Sequence, residues 1–236
     1  MDTVLDIAAR LAANSRQTTI PDIPDIPETP QRKPRQVERA KLADLDTGHP
    51  LMRQAVDMVR RWKTRKEAGH TDASLVLAGP VGTGKTHIAR AVLWSIAYNT
   101  DDGKPVAPAG RFYHATDLLM AMNPTRGQSG VTEVPRPSTF IGAAPILVID
   151  DVGTEQRIPF IAADVYEDEI HARYFRVLDY CYQFSISVVV TTNLSIPQLS
   201  ERIGRRAWDR LSEMAPKGYM IDLSGVPSWR QQASGR

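Results

Sequence analysis

The chain has a single cysteine, Cys181, in 236 residues, so no internal disulfide can form. That scarcity fits a reducing cytoplasm. Long apolar runs are also missing: nothing approaches the ~18 residues that a membrane-spanning helix needs. The opening Met1-Asp2-Thr3 lacks the basic start and apolar core of a secretory signal. The expectation is a cytoplasmic protein with no membrane partner. An excess of one charge is absent too. The formal net charge of +2 excludes nucleic-acid binding by bulk charge and leaves that work to local clusters. Apolar residues at 42% and charged residues at 24% are ordinary for a globular protein, and the length accommodates one large domain plus an appendage.

What is present begins with Gly79-Pro80-Val81-Gly82-Thr83-Gly84-Lys85-Thr86, a full phosphate loop followed by His87. It follows the apolar run Ser74–Ala78 and opens a helix-period stretch through Ile88, Ala89, Val92, Leu93 and Ile96. Strand, glycine turn and helix are the context this motif requires. Glycine lets the backbone curl so that several N–H groups face a polyphosphate, and the helix N-terminus adds partial positive charge. Lys85 can reach the β and γ phosphates, and Thr86 can hold magnesium.

Ahead of this, residues 3–13 show helical periodicity but are too short to be stable alone. Ile20-Pro21-Asp22-Ile23-Pro24-Asp25-Ile26-Pro27 then repeats proline every third residue, which suits a polyproline helix. It reads either as a docking ribbon for a partner groove or as a semi-rigid spacer. Arg32, Lys33, Arg35, Arg39 and Lys41 form a basic cluster. The expected division is an N-terminal arm at 1–45 and one domain at 46–236.

A helix is expected over 51–66, with Leu51, Ala55, Val56, Val59 and Trp62 as its apolar stripe. From residue 74 onward strands alternate with helices, implying a parallel sheet covered on both faces. Strands are expected at 74–78, 111–115, 145–150, 187–192 and 219–223. Helices are expected at 85–98, 116–122, 164–183 and 196–212. Residues 101–110 and 123–138 both read as mobile loops.

The third strand ends in Asp150-Asp151. A buried strand delivering a carboxylate beside a phosphate loop is the Walker B arrangement. Asp150 would bind magnesium opposite Thr86, and Asp151 would align or deprotonate the attacking water. An Asp pair after a strand also serves as a turn or cap. The fourth strand ends in Asn193, at the carboxyl edge where ligands gather, although Asn193 can equally cap the following loop. Farther on, Arg206 and Arg210 lie four apart on one helix face. There they can neutralise a transferring phosphoryl group, often on a neighbouring subunit, or form a solvated basic face.

The ordered set GPVGTGKTHIA, ILVIDDVGTE, YFRVLDYCYQFSISVVVTTNL, IGRRAWDRL and IDLSGVPSWR resembles the DnaC/IstB group of AAA+ ATPases, over residues 50–231. The resemblance implies an α/β P-loop core with a five-stranded parallel sheet, helices on both faces and no C-terminal helical lid. It implies ATP and Mg2+ as ligands, with Lys85 and Thr86 as the Walker A pair and Asp150 and Asp151 as Walker B. Asn193 looks like sensor 1, Arg210 like the arginine finger with Arg206 as its companion, and Arg230 like sensor 2. Two departures stand out. Cys181 occupies a place where the group often has arginine. The second Walker B acid is Asp, shorter than the Glu common in AAA+ proteins, so Glu155 is a candidate to share the water-positioning task. Arg126, Arg136, Phe112 and Phe140 are candidates for single-stranded DNA contact.

These expectations converge on an ATP hydrolase that oligomerises, binds single-stranded DNA and loads a replicative helicase through its arm. The same engine also serves a transposition helper that delivers a transposase. A nucleotide-gated binder with negligible hydrolysis is a third reading. A small-molecule kinase is disfavoured, since the sequence shows neither an acceptor pocket nor an Arg-rich lid.

Overall fold

The apolar runs that read as strands become neighbours in space. The structure, a computed structural model, describes residues 40–70, 73–97, 110–126, 132–155, 158 and 161–229. The expected helix at 3–13, the Ile-Pro-Asp ribbon and the basic residues up to Arg39 lie outside the described residues, as does Arg230.

Five strands form one parallel sheet: β1 (Leu75–Ala78), β2 (Arg111–His114), β5 (Ile146–Val152), β6 (Ser187–Thr192) and β7 (Met220–Asp222), in the order β2-β5-β6-β1-β7. Their alternation divides the core in two. Leu147, Ile149, Val188 and Val190 face one layer, and Ile146, Val148 and Val189 face the other. The second layer is covered by α1 (Pro50–Glu67) and α2 (Lys85–Ala97), through Met52, Val59, Trp62, Ile88, Val92 and Leu93. The first is covered by α3 (Ala115–Met120), α5 (Tyr166–Gln183), α6 (Ile196–Ile203) and α7 (Arg205–Met214). Strands buried on both faces read as continuous apolar runs, which explains why 145–150 and 187–192 were legible.

Two expectations change. The helix expected over 196–212 is broken at Gly204, whose φ of +81° ends α6 and starts α7. A Cβ there would lie 2.6 Å from His171 Cγ on α5, so only glycine permits this approach. The segment expected as a mobile loop at 123–138 holds an antiparallel pair, β3 (Thr125–Arg126) with β4 (Thr132–Glu133), and the short helix α4 (Pro137–Phe140). Pro137 at the first helical position starts α4, where a missing N–H costs nothing.

Residues 40–45 fold onto the domain. Leu42 and Leu45 pack against the α1–α2 core, and the Lys41 carbonyl lies 2.9 Å from His87 Nε2. Among the described residues no helix is long and apolar enough to cross a membrane.

Candidate functional site

Parallel strands, with β6 central between β5 and β1, bring three segments together at their carboxyl ends. The phosphate loop leaves β1, the twin acids end β5, and Asn193 follows β6. Pairing of Ala78 with Thr192, and of His114 with Asp150, sets this alignment.

Lys85 is 6% exposed, and its ammonium donates to the carbonyls of Gly79 and Pro80, each at 2.7 Å, and to Asn193 Oδ1 at 2.9 Å. Burial lowers its pKa below the ordinary lysine value, while Asp151 and then Asp150 oppose that shift. Thr83 is buried and donates to the Pro80 carbonyl at 3.0 Å, tightening the loop. Asp150 is 2% exposed. Its Oδ1 accepts from Thr86 Oγ1 at 3.0 Å and from Thr191 Oγ1 at 2.6 Å, and its Oδ2 lies 3.4 Å from His114 Nδ1. Asp151 has left-handed backbone, with φ of +64°, uncommon for a residue with a side chain. Its N–H donates to Thr191 Oγ1 at 2.8 Å, and its Oδ1 accepts from Asn193 Nδ2 at 2.9 Å. Asn193 therefore joins the lysine to the second acid. Thr191 and His114, which sequence reasoning missed, share Asp150. The signal available was their place at strand ends beside the twin acids.

A cleft of about 470 Å³ lies over these groups. Val81, Gly82, Gly84, Lys85, Thr86, His87, Asp151 and Asn193 line it from the loop and strand side, and Asp44, Leu45 and Trp229 line it from the chain ends of the domain. Trp229 N–H donates to the Gly82 carbonyl at 3.0 Å, fastening the last described residue to the phosphate loop. A larger hollow of about 790 Å³ lies between Glu167, Glu201, Arg202 and Leu194. Size favours that hollow, but the phosphate-cradling backbone and the Lys85–Asp150–Asp151 group belong to the smaller cleft, so chemistry selects the smaller.

Magnesium takes one or two carboxylates, phosphate oxygens and waters rather than an all-protein cage. Thr86 and Asp150 supply hard oxygens side by side, and among the described residues no group of three or more His, Cys, Asp or Glu forms a cage. The donor set fits.

Other expected residues lie elsewhere. Arg210 is held on α5: its Nε donates to Asp179 Oδ1 at 2.9 Å, its guanidinium lies 4.6 Å from the Tyr182 ring centre, and the Asp179 hydrogen bond leads the rise in its pKa. Arg206 stacks 3.9 Å from the Phe175 ring centre. Neither lines the cleft. Glu155, a candidate to share the water-positioning task, does not line the cleft: its side chain is buried against Arg202 and Tyr174. Phe112 is 7% exposed beneath Arg90, and Phe140 packs edge-on to Tyr113, so Phe112 cannot stack bases.

A parallel sheet that gathers a phosphate loop, a buried acid beside its threonine and a neighbouring strand's asparagine defines a P-loop nucleotide-binding core of the AAA+ type. Residues 55–209 match the family described as IstB-like ATP binding protein, and the chain belongs to that family. No curated protein sequence matches it. Among solved structures it is similar to "Crystal Structure of the DnaI", with 21% identity, 84% of this chain and 94% of that chain covered, and a TM-score of 0.56. It is also similar to "Crystal structure of the DnaC helicase loader", with 23% identity, 74% and 93% covered, and a TM-score of 0.53. The resemblance to DnaC/IstB-type AAA+ ATPases read from the motifs therefore holds, as does the fold it implied.

Proposed function

We propose that this protein is an ATP-hydrolysing helicase loader that acts on single-stranded DNA. The observation that carries the hydrolytic part is the single chain of contacts Lys85–Asn193–Asp151, with Thr86–Asp150 beside it. An incoming triphosphate takes the Lys85 ammonium from the Gly79 and Pro80 carbonyls and meets the loop N–H groups. Thr86 and Asp150 would hold a magnesium ion, which when bound would neutralise charge on the phosphate oxygens. Asn193, released from Lys85, stays on Asp151, and the two orient a water in line with the γ-phosphate. Arg210, with Arg206 beside it, completes the site from an adjacent copy. This requires the Arg210–Asp179 bridge to open or be shared as copies dock. Arg230 adds a contact from the chain's end. The arm at 1–45 carries the helicase, and its ribbon is the docking element.

Phosphate release measured against protein concentration, with and without single-stranded DNA, tests the reading. Turnover per protomer should rise on assembly, since an arginine supplied in trans is worth roughly 10³–10⁵ in rate. Equal turnover when dilute and when assembled refutes the trans arginine. A Lys85→Ala chain that binds ATP normally refutes the site itself.

The family match favours a second reading, an IstB-like helper that delivers a transposase to DNA. The ATPase chemistry is common to both. Binding of the full chain to a replicative helicase or to a transposase, compared with a chain lacking residues 1–39, which leaves the cleft-lining 40–45 in place, separates them.

A further inference from the structure

Glu155 has a side chain with no solvent exposure, yet it stays out of the ATP cleft. Its Oε2 accepts from Arg202 Nε at 3.0 Å and Nη2 at 2.9 Å, and its Oε1 accepts from the Tyr174 hydroxyl and from the Gly153 N–H at 2.9 Å. A buried ion pair of this kind often adds no net stability over apolar packing, but its geometry is specific. Gly153 belongs to the turn that aims Asp151. That turn has left-handed backbone at both residues, with φ of +64° at Asp151 and +98° at Gly153, and the β5–β6 register shifts there. It is held along its whole length: Thr192 Oγ1 donates to the Val152 carbonyl at 2.6 Å and Asn193 Nδ2 to Asp151 Oδ1 at 2.9 Å. Thr191 accepts the Asp151 N–H, Thr154 Oγ1 donates to the Asp151 carbonyl at 2.7 Å, and Glu155 accepts the Gly153 N–H.

Of these ties, the one through Glu155 leads on to the helices, through Arg202 and Tyr174. Arg202 sits on α6, the helix that begins just after Asn193, and also grips Glu167 on α5 at 3.1 Å. Burial alone would lower the Arg202 pKa, but Glu155 and then Glu167 hold it above its ordinary value. Burial and the Glu155 charge push the Tyr174 hydroxyl well up, so it remains a neutral donor. Both carboxylate oxygens of Glu155 are therefore engaged from two donors each, which fixes the carboxylate's geometry.

We propose that Glu155 and Arg202 are a positioning pair. They hold the Gly153 turn, and through it the direction of the Asp151 carboxylate, so that they govern turnover rather than nucleotide affinity. The effect on turnover rests on the hydrolytic reading above; the effect on the turn does not.

Full-length Arg202→Met and Arg202→Lys, compared with wild type, test it by hydrogen exchange resolved at Gly153, by ATP affinity and by phosphate release. In Arg202→Met the Gly153 amide should exchange roughly tenfold faster, as befits one lost hydrogen bond, while residues 146–149 keep their protection. ATP affinity should stay within about threefold, and phosphate release should fall roughly 10- to 100-fold, the scale of a misplaced group. Arg202→Lys should fall between the two and carries the test if Arg202→Met does not fold. An unchanged Gly153 amide overturns the proposal, whatever happens to turnover. So does faster exchange across the whole sheet, or an equal loss of affinity and turnover, since each marks a merely structural pair. A wild type that binds ATP without releasing phosphate refutes the hydrolytic reading instead, and the Gly153 amide still decides whether the pair holds the turn.

Discussion

Replacing Gly82 with alanine tests how the phosphate loop is held. Gly82 has φ of +86°, where an L side chain costs about 1–2 kcal/mol. Its Cβ would lie 2.1 Å from Ser228 Oγ, which must rotate away, and 3.1 Å from Ser228 Cβ, so the terminal segment must give by a few tenths of an ångström. That shift stretches the Trp229 N–H to Gly82 carbonyl bond, worth about 1 kcal/mol. With overpacking added, the loss is about 3–4 kcal/mol. Gly142→Ala is the control. Its φ is +62° and nothing lies within 4 Å of its would-be Cβ, so it carries only the conformational cost, about 1 kcal/mol. In thermal melts a domain of this size loses roughly 2–4 °C per kcal/mol. Gly82→Ala should therefore melt well below Gly142→Ala. Adding Ser228→Gly should recover the steric share alone, about 1–2 kcal/mol. ATP affinity should fall about tenfold in Gly82→Ala and hold in the control. Equal melting and equal affinity in the two variants would refute the contact between the chain's end and the phosphate loop.

Three further outcomes follow from the same geometry. The lowered Lys85 pKa means its ammonium is lost before pH reaches the ordinary value of 10.5, so ATP affinity should fall as pH rises toward that value. Binding should take up protons, because phosphates favour the charged form; calorimetry in two buffers of different ionisation enthalpy checks the sign. Cys181 is buried, with burial pushing its thiol up to about 12, so N-ethylmaleimide should leave the folded protein unlabelled and modify it only on unfolding. Gly204→Ala meets His171 Cγ at 2.6 Å with φ at +81°, and should cost about 2 kcal/mol in denaturant unfolding. His171→Ala in the same chain should return part of that loss.

Much of the sheet and the heart of the cleft could be read from local pattern. Leu75–Ala78 and Ser187–Thr192 are buried along their whole length, so they appear as uninterrupted apolar or β-branched runs. The phosphate loop and the twin acids are contiguous motifs. What escaped depends on residues brought together from a distance. Thr191 and His114 meet Asp150 only through strand pairing. Glu155 looked like a spare acid near the site until Arg202, 47 residues on, closed over it. The break at Gly204 reflects an approach by α5, which no helical periodicity encodes. Leu45 and Trp229, from opposite ends of the domain, line one cleft that neither neighbourhood announces.

The strap from Lys41 to Leu45 has a mechanical consequence. Its Lys41 carbonyl lies 2.9 Å from Nε2 of His87, the residue after Thr86, and Asp44 and Leu45 border the cleft. The point where residues 1–39 join the domain thus lies beside the phosphate loop. A ligand filling the cleft and a load on that strap would meet at the same few side chains, His87, Asp44 and Leu45.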